Sequence, residues 1–553
     1  MQPPGPSWAR RPLVACAVLL AAYLALSLLN DPRGYLGTDT GGKVATLRAM
    51  EERCALDPDI GYWAEEWDPD GRVHPLYYTA KVGDRWVNVT TLPMLYAGYP
   101  LYRLGGYRLA LVLPMLGSVL AALAARALAR RLSGGDGWAA FWIVGLASPL
   151  TIYALDFWEH SLGVAAMAWA VVVLVDLVEG RRPAGWALGA GGLFGAAATL
   201  RTEALAYGFV AVAVACLVLW LGRRRLAAAV ATGALAAAGL AGPLAANAAL
   251  ESATMGSAIR GERAAGRASS AVDATGDVAG KRVEEAMLNA AALTPRHDAA
   301  VYVVGTALVA LLVFVAARAG RPGDAGPAVL AAAGAGALYL LRFGAAPGFV
   351  PGLVAATPLA CVGLVRGWGT AAGRYVLGVA LGALPLVWAT QFQGGAAPQW
   401  AGRYLLVSGL LLGVAGVAAL PRLRPWAGRA FLALAAAVTA YGLVWTSIRT
   451  HDVAAAVGAL SRRPEPVLVS TVGHLAREGG AFYGDRRWLT APTEAEQAFA
   501  VEVLERAGVT RFAFVGLEGS GEREAPPGWR AAGSEVVPFI GRLDLVVTAY
   551  EAA

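Results

Sequence analysis

The residues able to do chemistry lie in a few short segments. Asp39 stands in Gly37-Thr-Asp-Thr-Gly-Gly-Lys43, just past the first long apolar run. A carboxylate there can act as a general base toward a hydroxyl or as a metal ligand. Asp also favours plain turns and helix caps. A second cluster is Asp156-Phe-Trp-Glu159-His160. If a helix begins here, Asp156, Glu159 and His160 share one face at i, i+3 and i+4. The acids could then hold a cation or acceptor hydroxyls, and the imidazole could serve phosphate or proton transfer. The same Asp-x-x-Glu spacing is also a capping arrangement, in which His160 has no part. Arg201-Thr-Glu203 offers either a phosphate clamp or a neutralised tight turn. Arg342 and Arg403, the latter in Trp400-Ala-Gly-Arg-Tyr404, each suit a snorkelling arginine. The three arginines together suit an anionic ligand.

The elements that must position these residues follow from composition. The chain has 553 residues, is 57% hydrophobic and only 15% charged, and has a mean hydropathy of +0.52. Soluble domains carry nearer a quarter charged residues, so charge this sparse points to a polytopic membrane protein. The net charge of +7 does not point to nucleic acid, because the arginines sit in short loops between apolar runs. Cys16, Cys216 and Cys361 lie inside apolar runs and Cys54 stands alone, which gives no disulfide framework or metal-ligand spacing. Thirteen stretches are apolar and long enough to span: roughly 12–29, 108–127, 138–154, 161–178, 184–200, 204–221, 226–248, 299–317, 327–341, 349–366, 374–390, 404–420 and 428–448. The first is read as a retained span, since no small-x-small cleavage site follows it. Arginine-rich connections alternate with longer, arginine-poor ones. The positive-inside rule therefore puts the N-terminus in the cytoplasm and the C-terminus outside, a multi-pass cell-membrane topology. Asp39, Asp156, Glu159, His160, Arg201, Glu203, Arg342 and Arg403 then converge on the outer face.

A membrane module is expected over 1–448 and an extracytoplasmic domain over 449–553. Within the first outer loop, 30–107, two weakly amphipathic stretches (43–54 and 90–104) suit helices lying in the interface. Asn88-Val-Thr matches a glycosylation sequon. The outer loop 249–298 is polar and reads as a linker. In the last hundred residues, Pro466–Thr471, Arg511–Gly516 and Leu543–Ala549 read as strands. Thr493-Glu-Ala-Glu496 opens a helix with a capping box and Gly508 closes it. No Gly-x-Gly-x-x-Gly follows a strand, so nucleotide binding is not indicated.

Together these features resemble the GT-C class of membrane glycosyltransferases, which use polyprenyl-phosphate-linked sugars. Protein O-mannosyltransferases, the oligosaccharyltransferase catalytic subunit and bacterial arabinosyl- and aminoarabinose-transferases belong to it. The matching parts are an acid in the first outer loop (Gly37-Thr-Asp-Thr-Gly), two interfacial stretches, seven spans followed by variable ones, and an outer C-terminal domain. Arg201-Thr-Glu203 looks like the Arg-x-Glu after the fifth span of many relatives. Trp400-Ala-Gly-Arg-Tyr looks like a Trp-Gly-x-Arg-Tyr pattern of actinobacterial-type members. The resemblance implies a mainly α, GT-C-like fold with a small α/β outer domain. It implies inverting transfer of a sugar to an envelope glycan, lipid or protein acceptor. Asp39 would be the base, with Asp156, Glu159 and His160 beside it. Lys43, Arg201, Arg342 and Arg403 would hold the donor phosphate, leaving Glu203, Trp158, Trp400 and Tyr404 for acceptor or other contacts. The transfer needs no nucleotide, and a divalent cation is the one cofactor left open. The first loop lacks the paired acids of many members, so a divalent cation could be held only with help from Asp156 or Glu159. A lipid or glycan flippase and a non-catalytic envelope assembly protein are the alternative readings.

Overall fold

The computed structural model describes residues 11–223, 226–259, 261–262, 352–391, 400–519, 525–541 and 543–553. Arg342 and the expected spans 299–317 and 327–341 lie outside them, as does most of the expected linker 249–298. Helix α1 (Pro12–Ser27) leads to α2 (Thr38–Glu52), a hairpin of β1 (Thr79–Val82) and β2 (Arg85–Asn88), and α3 (Leu92–Ala110). The helical module continues with α4 (Val112–Ser133), α5 (Trp138–Leu146), α6 (Pro149–Tyr153), α7 (His160–Val178), α8 (Trp186–Leu200), α9 (Glu203–Arg223) and α10 (Leu226–Met255). After the undescribed stretch come α11 (Leu353–Ala356), α12 (Leu359–Arg366), α13 (Ala371–Gln391), α14 (Leu406–Ala419) and α15 (Pro425–Ser461).

Among the described residues, seven helices are long and apolar enough to cross a membrane: α4, α7, α9, α10, α13, α14 with its flanking turns, and α15. The expected span 138–154 is two helices, α5 and α6. The break comes at Ser148-Pro149, where Ser148 Oγ accepts the Leu150 N–H and caps α6. The expected span 428–448 is part of a longer helix, because α15 runs 37 residues and carries straight out of the apolar layer into the C-terminal domain. The polar run Arg449-Thr-His-Asp452 marks the end of the apolar stretch, not of the helix.

The domain is an α/β unit of β3 (Val467–Ser470), α16 (Leu475–Glu478), β4 (Arg487–Thr490), α17 (Glu494–Arg506), β5 (Arg511–Leu517), β6 (Trp529–Ile540) and β7 (Leu543–Ala552). Its sheet order is β4-β3-β5-β7-β6, with β4, β3 and β5 parallel and β7 antiparallel to both β5 and β6. The expected capping box is formed: Thr493 Oγ1 accepts the Glu496 N–H, and Glu496 accepts the Thr493 N–H. Gly508 follows the helix at φ +65°.

The two expected interfacial stretches are both helical, in α2 and α3, and both pack into the protein. Helix α2 is buried along Thr40–Leu47 and at Met50. Ala45 belongs to one apolar core with the C-terminal sheet and the end of α15, while Leu47 and Met50 belong to another with α1, α3 and α4. A helix covered on both sides needs no free amphipathic face. The second stretch is α3, buried through Leu92, Met94, Leu95 and Tyr99 and kinked at Gly105-Gly106. The first loop also hooks over β4, the edge of the sheet. Thr490 N–H donates to Val73 O (3.0 Å) and Trp63 Nε1 to Trp488 O (2.9 Å). Asn88 of the sequon is fully buried and is a structural residue.

Candidate active site

The site forms where α2 meets the loop before α7 and the C-terminal domain. Gly37, in an extended conformation, precedes the first turn of α2 and places Asp39 there, where the helix dipole favours an anion. Thr40-Gly41-Gly42 then allows a very close approach. A Cβ on Gly41 would lie 1.6 Å from the Arg477 carbonyl oxygen, and one on Gly42 would lie 2.9 Å from the Arg477 guanidinium. Only glycines let α16 come down onto α2. As a result Arg477, from the C-terminal domain, reaches Asp39 Oδ1 at 3.6 Å. Arg403, in the turn leading into α14, reaches Asp39 Oδ2 at 3.7 Å. Asp39 keeps 44% of its side chain exposed, whereas Arg477 and Arg403 are 4% and 13% exposed. Burial acts to raise the Asp39 carboxyl, but the Arg403, Arg477 and Lys43 charges outweigh it and hold it below the usual carboxylate range.

The other acids are committed to partners. Glu159 Oε2 accepts from Lys43 Nζ at 2.5 Å and Glu159 Oε1 from Arg201 Nη1 at 3.3 Å. Arg201 Nε also donates to Glu203 Oε1 at 2.9 Å. This chain of four charges is almost wholly buried. Burial alone would raise the Glu159 carboxyl, but Lys43 and Arg201 hold it well below the usual range. Asp156 accepts from Thr40 Oγ1 (2.6 Å), Tyr107 OH (2.8 Å) and the Leu36 N–H (3.4 Å), so it pins the start of α2. Its burial raises its carboxyl against those three hydrogen bonds.

The expected shared helix face of Asp156, Glu159 and His160 does not exist, because α7 begins at His160 and the two acids lie in the preceding loop. Glu159 occupies the N-cap position, but its side chain makes no capping hydrogen bond. Among the described residues no three metal-ligating side chains come together, and Asp39, Asp156 and Glu159 are turned to different partners. His160 is buried, in ring contact with Tyr153 and Trp158, and neither of its nitrogens has a partner among the described residues. Tyr404 packs under both Arg403 (4.7 Å) and Arg201 (5.2 Å). Trp400 packs against Gly442, and its carbonyl accepts the Tyr153 hydroxyl at 2.8 Å. Ala401 (φ +60°) and Gly402 (φ +61°) turn the chain from Trp400 toward Arg403.

Sequence reasoning missed Arg477, Thr40 and Tyr107. A signal for Arg477 was present: it follows β3, the central strand of the three parallel ones, and ligands of parallel sheets gather beyond strand carboxyl ends.

No known family matches the sequence, and no curated protein is similar to it. Among solved structures, the chain is similar to ArnT from Cupriavidus metallidurans bound to undecaprenyl phosphate, at 14% identity and TM-score 0.47, over 96% of this chain and 97% of that one. It is similar to the apo state of the same protein at 16% identity and TM-score 0.37, with the same coverage. It is also similar to the Archaeoglobus fulgidus oligosaccharyltransferase in complex with zinc and sulfate, at 14% identity and TM-score 0.39, over 90% of this chain and 67% of that one.

Proposed function

We propose that the chain is a glycosyltransferase that moves a sugar from a polyprenyl-phosphate-linked donor to an acceptor hydroxyl on the outer membrane face, with Asp39 as general base. The observation that carries this reading is an accessible carboxylate set between two arginines from distant parts of the chain, Arg477 buried and Arg403 mostly so, next to membrane-spanning helices. Arg403 and Arg477 suit a lipid phosphate, since a guanidinium offers several donors in a planar fork and the two flank one carboxylate. The acceptor oxygen forms a bond to the anomeric carbon as the bond from that carbon to the phosphate oxygen breaks. The electron pair leaves with the polyprenyl phosphate, whose charge the arginines stabilise, and the hydroxyl proton passes to Asp39. Attack opposite the leaving group inverts the anomeric centre. Lys43, Glu159, Arg201 and Glu203 act as a positioning network behind these groups, and Asp156 acts through Thr40. Tyr404 packs beneath Arg403 and Arg201, while Trp158 and His160 stack with Tyr153 and Trp400 packs against Tyr441 and Trp445.

Asp39→Asn, assayed in proteoliposomes with radiolabelled polyprenyl-phosphate sugars, tests this. Loss of one positioned base lowers the rate by about 10²–10⁴ with folding intact. Transfer at the wild-type rate sinks the assignment. A wild-type protein that transfers nothing from any donor, but moves the lipid across the bilayer, sinks the transferase reading in favour of a flippase.

A further inference from the structure

Beside Asp39, the first loop and the C-terminal domain present three rings to solvent. Tyr77 and Tyr78, just before β1, are 43% and 53% exposed, and their rings meet edge-on at 4.5 Å. His474, in the turn leading into α16, is exposed, with its ring 5.5 Å from Tyr77. The Arg477 guanidinium lies 5.6 Å from the Tyr78 ring centroid and 3.6 Å from Asp39 Oδ1. A single guanidinium therefore separates the carboxylate from the aromatic group.

Tyr78 is held at φ +65°, a left-handed conformation that bulky side chains rarely adopt. Buried Asn88 holds the loop there: its Nδ2 donates to Tyr77 O and to Thr79 Oγ1, both at 3.0 Å. The Val89 N–H donates to Tyr78 O at 2.9 Å. A connection that needed only to turn would be more stable with glycine at this position. An aromatic side chain kept against its backbone preference, exposed, and beside the candidate base points to a ligand contact.

The chemistry of the three rings selects the ligand. Aromatic faces carry partial negative charge and pack well against the polarised C–H face of a sugar ring. Phenol hydroxyls both donate and accept hydrogen bonds. His474 is depressed by its partial burial and by the Arg477 charge, so at neutral pH it offers one donor and one acceptor nitrogen. Flat faces edged by phenol hydroxyls and imidazole nitrogens suit a hydroxylated, ring-shaped ligand. We propose that Tyr77, Tyr78 and His474 form the acceptor subsite for a carbohydrate, stacking its terminal sugar and presenting one hydroxyl to Asp39. The last clause rests on the glycosyl-transfer reading; the subsite itself does not.

The test titrates the full-length protein in nanodiscs with short neutral oligosaccharides of mannose, galactose or arabinose, followed by saturation-transfer NMR. One class should bind wild type. Tyr78→Gly, which relieves the left-handed backbone, should weaken that binding about tenfold with a thermal midpoint no lower than wild type. Tyr78→Phe should retain it. Binding unchanged in Tyr78→Gly overturns the subsite. So does the absence of binding by any of these oligosaccharides, including the case in which a Ser/Thr-containing peptide or a sugar-free lipid vesicle engages the tyrosines instead. The two readings fail separately. Sugar binding that depends on Tyr78, without transfer from any donor, removes the enzyme and leaves the subsite. Asp39-dependent transfer with an unchanged acceptor KM in Tyr78→Gly does the reverse.

Discussion

The two ends of α7 build acids and arginines into clusters in different ways. At the Val178 end, Asp176 is saturated. Arg131 Nη2 bonds it at 2.6 Å, Arg181 Nε at 2.9 Å and Arg182 Nε at 3.2 Å, and Arg131 grips both of its oxygens. At the other end, about 28 Å away for a helix of 19 residues, Glu159 is engaged by Lys43 and Arg201. Asp39, only one turn before Lys43 on α2, stands 3.6 and 3.7 Å from its arginines and keeps 44% exposure. Both ends contain as much charge as a binding site needs. Spare bonding capacity separates them: a saturated carboxylate holds helices together, and an under-engaged one can receive a ligand.

The comparison breaks if the two acids behave alike. Asp39→Asn is expected to lose transfer by about 10²–10⁴ while its unfolding transition stays near wild type. Asp176→Asn is expected to leave transfer per folded molecule unchanged and to cost stability, on the order of 1–3 kcal/mol, because its arginines are partly exposed and recover water. Paired rate and thermal-unfolding measurements check both. Equal kinetic losses would mean that bonding capacity does not locate the site.

The saturated part of the cluster around Glu159 should respond as the Asp176 end does, but more strongly. Glu159→Gln leaves Lys43, 1% exposed, as a buried cation whose other bond is to the Phe157 carbonyl at 3.4 Å. Removing one partner of such a pair costs about 3–5 kcal/mol. Adding Lys43→Met should recover part of that loss, and a double-mutant cycle by denaturant unfolding reads the coupling. Strictly additive losses would show that the pair is not a unit. Gly41→Ala is the next smaller effect. The new methyl group meets the Arg477 carbonyl, so α16 must retreat at a cost of about 1–3 kcal/mol, and Arg477 retreats with it. A donor KM that rises more than kcat falls would separate this from loss of the base.

Much of this arrangement was legible in the sequence, and what escaped has a common cause. The apolar spans, the strands β3, β5 and β7, and the Thr493 capping box rest on neighbours within a few residues, where periodicity and spacing are direct signals. The Arg201–Glu203 pair was also legible, because the partners are two residues apart. The Lys43–Glu159 pair, the Asp156–Thr40 bond and the Arg477–Asp39 contact join residues more than a hundred positions apart, and no local pattern records them. The strand β6, with Gly533 and Pro538 and a mostly exposed run, lacks the alternation that reveals a half-buried strand. Residues 43–54 suit an interfacial helix in sequence because Val44, Leu47 and Met50 recur at helical spacing among Lys43, Arg48 and Glu51. The glycines of α2, which let a second layer close over it, look like turn residues.

The smallest expected effect is in the pH profile, and it sharpens the contrast between an open acid and a filled one. In the free protein, Arg403 and Arg477 hold Asp39 below the usual carboxylate range. Its ionised form therefore adds to stability above the unfolded-state carboxyl pKa, and that contribution is lost as pH falls through the lower folded value. The acid limb of kcat/KM, which reports the free enzyme, should accordingly lie low. When a donor phosphate binds, it neutralises the two guanidinium groups and adds a negative charge near the carboxylate, and both effects raise the Asp39 pKa. The acid limb of kcat, which reports the substrate complex, should therefore lie at higher pH than that of kcat/KM. Arg403→Gln should narrow the gap by raising the free-enzyme limb. Initial rates across the acid range, at low and at saturating donor, measure both limbs. Coincident limbs in wild type would mean that the phosphate does not sit on these arginines.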